Sequence, residues 1–488
     1  MKLPDHRTKI VATIGPASES PETLEAMLRA GMDVARLNFS HGTFEEHAAR
    51  IARLRAAERA TGRRLAILAD LPGPKMRLGQ IQPEPVELRA GAAFTLTTED
   101  VVGDERRASV SFTRLPEVVR PGDRLFLNDG LVQLQVQRVS GAEVHCVVSV
   151  GGELRSRKGL NLPGIELGLA AFTEQDEACL RFALEQGVDA VSQSFVETAA
   201  DVAAVRAAAA AAGHRPFVIA KIERAGALGH LDEILDAADG VMVARGDLGV
   251  EVPIEQMALL QKQLIARASQ AGKPVIVATQ MLESMTHSRL PTRAEATDVA
   301  NAVLDGADAL MLSGESAMGR YPVEAVAMLA RIAAATEARR AVTCRNQVRS
   351  MPVGNRSSTP AEAIATVVEF ALETVPCAAV FVPTRTGTTA RMISRFNPPV
   401  WIVALSPDRQ VCQGLAFSWG VHPVELADSP VDWRAWARAW AAEHGLGGTG
   451  ALLVAGPSPQ HPEANHRLEF LHFADTAGSE RCALSAAT

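Results

Sequence analysis

Charged and hydroxyl side chains stand at the ends of several short apolar runs in this chain, spaced so that they share a face. In Ala220-Lys221-Ile222-Glu223-Arg224, Lys221 and Glu223 are two residues apart and project to the same side of a strand. The next such run ends Ala244-Arg245-Gly246-Asp247-Leu248-Gly249, which sets Asp247 beside Glu223 if the two strands are neighbours. Two carboxylates so placed suit a hard divalent ion such as Mg²⁺, which takes one or two carboxylates together with water and substrate oxygens. A lysine next to that ion points to an anionic substrate. Gly246 and Asp247 also open a short helix, whose free N–H groups would receive a carboxylate or phosphate. Arg36, Asn38 and Ser40 alternate in Arg36-Leu37-Asn38-Phe39-Ser40-His41-Gly42 and converge on one face. Thr279, in Ala278-Thr279-Gln280-Met281-Leu282, offers a hydroxyl able to relay a proton directly or through water. Each feature alone has a plainer account: a solvated strand end for Arg36, a structural ion network for Lys221, Glu223 and Asp247, a helix cap for Thr279. Their recurrence at equivalent places favours a shared site.

The elements that must position them are legible. Eight candidate strands begin at Lys9, Val34, Leu65, Ala190, Phe217, Gly240, Pro274 and Ala309, separated by Ala-rich helical stretches. The first helix is bracketed by a Ser20-Pro21 start and by Gly31. Eight βα units predict a (β/α)8 barrel with its active site at the strand C-termini. One gap, after the third strand, is far longer than the others and holds alternating runs such as DRLFLNDG, LVQLQVQRV and AEVHCVVSVGG. These predict an inserted all-β domain over residues 72–169, with the barrel formed by 1–71 and 170–341. A polar linker is expected at 342–357. A C-terminal domain, 358–488, then alternates helix and strand again as an open α/β sheet.

Composition excludes several classes. The 488 residues are 47% hydrophobic, 22% charged and 4% aromatic, as in an ordinary globular protein. Net charge is −7 with no basic block, so nucleic acid is not expected as a partner. The six cysteines are too scattered for CxxC pairs or local zinc sites. Neither an apolar leader core nor an 18-residue apolar stretch is present, so no membrane association is expected and the expected location is the cytoplasm. Gly445, Gly447 and Gly450 spell GxGxxG, but a helix precedes them and a strand follows, the reverse of the dinucleotide fingerprint. A Walker A loop and HExxH are both missing from the sequence.

Read in order, KIVATIGPAS, VARLNFSHG, KGLNLPG, IAKIER, MVARGDLGVE, ATQMLESM and LSGESAMGRYP resemble the motifs of the pyruvate kinase family. The C-terminal domain matches more loosely, through PTRTGTTARMISRFNPP and GVHPVEL. The resemblance implies that phosphoenolpyruvate binds at the barrel mouth and that the insert, a β-barrel, closes over it as a lid with ADP between them. It implies products pyruvate and ATP, Mg²⁺ at Glu223 and Asp247 with Mn²⁺ as a substitute, and Lys221 and Arg36 on the transferring phosphoryl group. Gly246 and Asp247 N–H groups would hold the substrate carboxylate, and Thr279 would assist protonation of the enolate. Arg77, Lys158 and Asn38 would reach the nucleotide, and Asp129 matches a lid position facing the site. A homotetramer is implied as well.

One departure matters. Members needing K⁺ read DTKGPEIRTG where this chain has DLPGPKMRLG. Asn38, Ser40, Asp70 and the carbonyl of Leu71 would be the monovalent-cation ligands, but Lys75 brings an ammonium where those members place a carboxylate. K⁺ is therefore expected not to be required, the site being vestigial. In the C-terminal domain, Thr384, Thr386, Gly387, Thr388 and Thr389 form a hydroxyl-rich loop before a helix. Family members bind phosphorylated effectors here, so allosteric regulation is expected, a capped turn without ligand being the alternative. Two other functions fit parts of the pattern: a Mg²⁺-dependent barrel lyase or aldolase acting on a pyruvate enolate, and a noncatalytic metabolite sensor.

Overall fold

Eight parallel strands close into a ring in the computed structural model, which describes residues 2–338, 359–428, 430–456 and 466–473. The strands are Lys9–Thr13, Val34–Asn38, Ala66–Leu71, Ala190–Gln193, Phe217–Ile222, Gly240–Ala244, Val275–Ala278 and Ala309–Leu312, each hydrogen-bonded to its sequence neighbours and the last to the first. They form because β-branched and aliphatic residues fill both faces. Outward residues such as Ile10, Leu37, Ile67 and Val243 pack under the helices, while inward Val11, Val34, Leu68, Ile219, Met242 and Ile276 fill the ring. The intervening helices start and stop where the sequence marks them. Ser20 Oγ accepts the Thr23 N–H at 3.2 Å, Pro21 is the first helical residue, and Gly31 ends the turn at φ 121°.

The floor of the barrel is covered by the C-terminal domain, whose Phe417 stacks on Phe217 with centroids 5.2 Å apart. That domain is a five-stranded sheet in the order Val421–Glu425, Trp401–Ser406, Ala379–Pro383, Gly450–Ala455, Arg467–His472, parallel except for the last strand. Both edge strands escape a sequence reading. Pro423 interrupts one, which an edge tolerates because it needs no ladder on its outer side. The other, RLEFLH, is mostly exposed. The expected linker, 342–357, lies outside the described residues.

Between the third barrel strand and the helix Glu174–Glu185 that leads to the fourth, the chain is all β apart from one helical turn at Leu115–Val118. Its main ladder is a six-stranded sheet, with a separate pair from Val86–Leu88 and Gly152–Leu154. The two edges of the sheet are drawn together by the first hinge segment. Leu160 donates to the Met76 carbonyl at 3.0 Å on one side, and Gly79 donates to the Ser109 carbonyl at 2.8 Å on the other. Closure thus rests on single bridges at Arg77 and Leu78 instead of a continuous ladder.

Candidate active site

Above the apolar layers of the barrel, the next inward rung turns polar on one side only. The period of two that places Val11, Val34, Leu68, Ala190 and Ile219 inside places Thr13, Arg36, Asp70, Ser192 and Lys221 inside as well, one rung nearer the mouth. The sixth and seventh strands supply Ala244 and Ala278 at this level. A cluster of charge therefore faces a smaller, apolar wall.

Asp70 is the hub of that cluster and is 1% exposed. It accepts Arg36 Nε at 2.8 Å and Arg36 Nη2, accepts Ser192 Oγ at 2.7 Å, and lies 3.2 Å from Lys221 Nζ. Burial alone would raise its carboxyl, but Lys221, Arg36 and the Ser192 hydroxyl outweigh burial and hold it below the ordinary range. Lys221 Nζ donates to Ser194 Oγ at 2.7 Å and pairs with Glu223 Oε1 at 2.9 Å. Burial pulls its ammonium down; Asp70 and Glu223 more than reverse this and keep it above its usual value. Lys221 is thus a fixed positive charge at neutral pH.

Glu223, 2% exposed, accepts the Phe195 N–H at 2.8 Å. Its carboxyl is raised chiefly by burial and further by the nearby Asp247 carboxylate, against the pull of Lys221. Two oxygen-bearing anions that disfavour each other in this way are the donor set a divalent cation neutralises, so the residues present fit Mg²⁺. Among the described residues no cluster of three or more His, Cys, Asp or Glu is poised for a metal.

Asp247 lies in the helix Arg245–Glu251, and Lys75 Nζ approaches it to 3.5 Å from the first hinge of the insert. Thr279 donates its hydroxyl to the Ala278 carbonyl at 2.6 Å and accepts the Gly246 N–H at 2.8 Å. Its hydroxyl oxygen thus satisfies an N–H in the first turn of the helix Arg245–Glu251, capping that helix from the neighbouring strand. Thr279, Gln280 and Phe195 all have positive φ, 70°, 54° and 57°. Such strain in non-glycine residues costs on the order of 1–3 kcal/mol each and persists only where the surroundings enforce it.

The insert faces this mouth. Asp129, exposed and at φ 56°, and Lys75 both border Gly159: a β-carbon added there would lie 3.9 Å from an Asp129 carboxylate oxygen and 3.8 Å from Lys75 Cε. Arg77 Nη1 donates to the Arg157 carbonyl at 3.2 Å, and the Lys158 carbonyl accepts the Leu78 N–H at 2.9 Å. Arg36, Asp70, Lys221, Glu223, Gly246, Asp247 and Thr279 are thus brought together, with Lys75, Asp129, Arg77 and Lys158 on the insert side. Asn38 and Ser40 are tied to each other, Ser40 N–H to Asn38 Oδ1 at 3.1 Å. The Leu71 carbonyl accepts Ser194 Oγ at 2.7 Å. Every donor of the suggested monovalent-cation site except Ser40 Oγ is therefore engaged within the protein.

The loop Thr384–Thr389 lies in the C-terminal domain, and its hydroxyls are largely used in the turn. Gly387 N–H donates to Thr384 Oγ1 at 2.9 Å, and the Thr386 and Thr388 hydroxyls pair at 2.9 Å. The glycine-rich stretch likewise joins the helix Trp433–Glu443 to the strand Gly450–Ala455.

Ser192 and Ser194 are site residues that a reading of charged positions passes over. Their signal is the alternation Ser192-Gln193-Ser194 at the end of the fourth strand, the same period of two that singles out Lys221 and Glu223. Thr13, which accepts Arg36 Nη1 at 3.0 Å, could be found in the same way.

A closed barrel whose mouth sets Arg36 and Lys221 among buried carboxylates, with a β insert facing it, is an arrangement suited to phosphoryl transfer. A family model described as pyruvate kinase, barrel domain, matches residues 5–326, and one described as pyruvate kinase, alpha/beta domain, matches 362–460. A pyruvate kinase of Thermococcus litoralis is 52% identical over 87% of this chain and 89% of its own length. One from Geobacillus stearothermophilus is 44% identical over 86% of this chain and 71% of its own length. A crystal structure of a pyruvate kinase from Cryptosporidium parvum superposes with a TM-score of 0.88 at 34% identity, covering 96% of this chain and 97% of that one. The chain belongs to the pyruvate kinase family, and it is a phosphotransferase. The lyase reading finds no support among these relatives. Among the described residues no helix is long and apolar enough to cross a membrane.

Proposed function

We propose that the barrel mouth transfers the phosphoryl group of phosphoenolpyruvate to ADP, giving ATP and pyruvate. The observation that carries this reading is Lys221, an ammonium held charged between two buried carboxylates and aimed into the mouth. Phosphoryl transfer asks mainly for positioning and charge neutralisation, which preorganised cations supply without reorganisation at the moment of reaction. Lys221 and Arg36 balance the charge on the phosphoryl oxygens as the bond to the enol oxygen breaks and the bond to the ADP oxygen forms. Backbone N–H groups of Gly246, which Thr279 Oγ1 holds until substrate binds, and of Asp247 orient the substrate carboxylate. Thr279 relays a proton to the enolate carbon left behind. Arg77 and Lys158, with Asn38 beneath them, hold the nucleotide, and Asp129 completes the insert side. Closure of the insert excludes water, so that the phosphoryl group reaches ADP and not solvent.

Glu223 and Asp247 would hold Mg²⁺ or Mn²⁺, which supplies charge neutralisation of the substrate oxygens. K⁺ is not required, a reading supported by the Lys75 ammonium beside Asp247 and by the internally engaged Asn38, Asp70 and Leu71 oxygens. Membership of the pyruvate kinase family supports self-association as a homotetramer, which sedimentation would check. The deciding experiment is a coupled assay with phosphoenolpyruvate, ADP and Mg²⁺. Pyruvate formation that depends on all three supports the reading, and its absence from folded protein refutes it.

A further inference from the structure

We propose that Arg245 is the positioning residue for Thr279, holding it in its left-handed conformation with its hydroxyl against the Gly246 N–H. The inference rests on the reading of Thr279 as the proton relay and adds how that group is kept in place. The sixth and seventh strands stop pairing at Ala244 and Ala278. Beyond that point the carbonyls of the seventh strand have no ladder partner, and the chain turns at Thr279 and Gln280 with positive φ at both.

Arg245 occupies the break. Its Nη2 donates to the Thr279 carbonyl at 2.7 Å and its Nε to the Ala278 carbonyl at 3.2 Å, so one guanidinium replaces the missing ladder on two successive residues. The far side of the same group is anchored by helices outside the barrel. Nη1 donates to Asp298 Oδ1 at 2.8 Å and to Gln261 Oε1 at 3.3 Å. The side chain is 14% exposed, and it immediately precedes Gly246, whose N–H meets Thr279 Oγ1. Only a planar fork with several donors can span two carbonyls and a carboxylate at once; a lysine in this place reaches one or two of them.

Because Arg245 acts through Thr279, its loss should be felt at protonation and be masked when the hydroxyl is already gone. The experiment is a double-mutant cycle on the full-length protein, read as exchange of the pyruvate methyl hydrogens for solvent deuterium with Mg²⁺ and ATP present. In this reaction a C–H bond breaks, a C–D bond forms and the released proton enters solvent. Arg245→Ala is expected to slow exchange at least tenfold with the circular dichroism spectrum retained. In a Thr279→Ala background the same change should cost less than twofold more. Asp298→Asn, which keeps an acceptor but drops the anchoring charge, should show a smaller effect with the same masking, and it carries the cycle together with Arg245→Lys if Arg245→Ala fails to fold. Equal losses in both backgrounds would assign Arg245 a general structural role and overturn the proposal. Thr279→Ala exchanging at the parent rate would overturn the relay reading itself, and the positioning role with it.

Discussion

Replacing Lys75 by glutamate should convert a K⁺-independent enzyme into one that responds to K⁺. The ammonium lies 3.5 Å from Asp247 Oδ1, with the lysine side chain 35% exposed. At that distance a pair of unit charges interacts by about 1 kcal/mol in water and about 5 kcal/mol at an effective dielectric near 20. Partial exposure places the real value towards the lower end, about 1–2 kcal/mol. Lys75→Glu removes that attraction and installs repulsion of similar size, a swing of about 2–4 kcal/mol, equivalent to roughly 30- to 1,000-fold in rate if it falls wholly on the transition state. A monovalent cation supplied from solution would restore much of it. The assay is turnover in tetramethylammonium chloride against KCl at equal ionic strength. The parent protein should run at rates within about threefold in the two salts, given that interaction energy, and Lys75→Glu should gain activity with KCl. A hundredfold rise with KCl in the parent protein would refute the reasoning, as would a Lys75→Glu variant indifferent to K⁺.

Lys221→Met strips the cation from two buried carboxylates, so stability measured by urea unfolding should fall by about 3–5 kcal/mol and turnover by at least about 100-fold; adding Asp70→Asn should recover part of the stability and none of the rate. His422 is held neutral by burial and by the nearby Lys9 and His444 charges, its pKa pushed down from 6.5 to about 3. Because the unfolded chain then binds the extra proton, stability should be full above pH 6.5 and fall as pH drops towards 3, by up to roughly 1.4 kcal/mol per pH unit; His422→Gln should flatten that slope in unfolding titrations. Chelation by EDTA should stop turnover, with Mg²⁺ or Mn²⁺ restoring it, and Asp247→Asn should raise the metal concentration needed by about tenfold, in keeping with a lost charged ligand. Calorimetric titration with sugar phosphates and nucleoside monophosphates tests the Thr384–Thr389 loop: heat abolished by Thr386→Ala marks an effector site, and silence across the panel marks a self-capped turn.

The sequence by itself determined the eight barrel strands, the β insert after the third and the strand face that carries Lys221 and Glu223. Each of these depends on a period of two or on a chain-local composition, which neighbours in sequence are enough to express. The edge strands Val421–Glu425 and Arg467–His472 were hidden because an edge can be built from residues with little strand signal of their own. The tertiary structure alone decided what the polar side chains meet. Asp70 and Lys221 are 151 residues apart in sequence, and they touch only because ring closure and parallel register bring the third and fifth strands to one level. The same closure hands the Leu71 carbonyl to Ser194, points Lys75 at Asp247, and sets Arg245 across the end of the seventh strand. Whether a charge is neutralised, a carbonyl is free or a hydroxyl faces the mouth is a property of through-space neighbours, and those neighbours exist only once the barrel has shut.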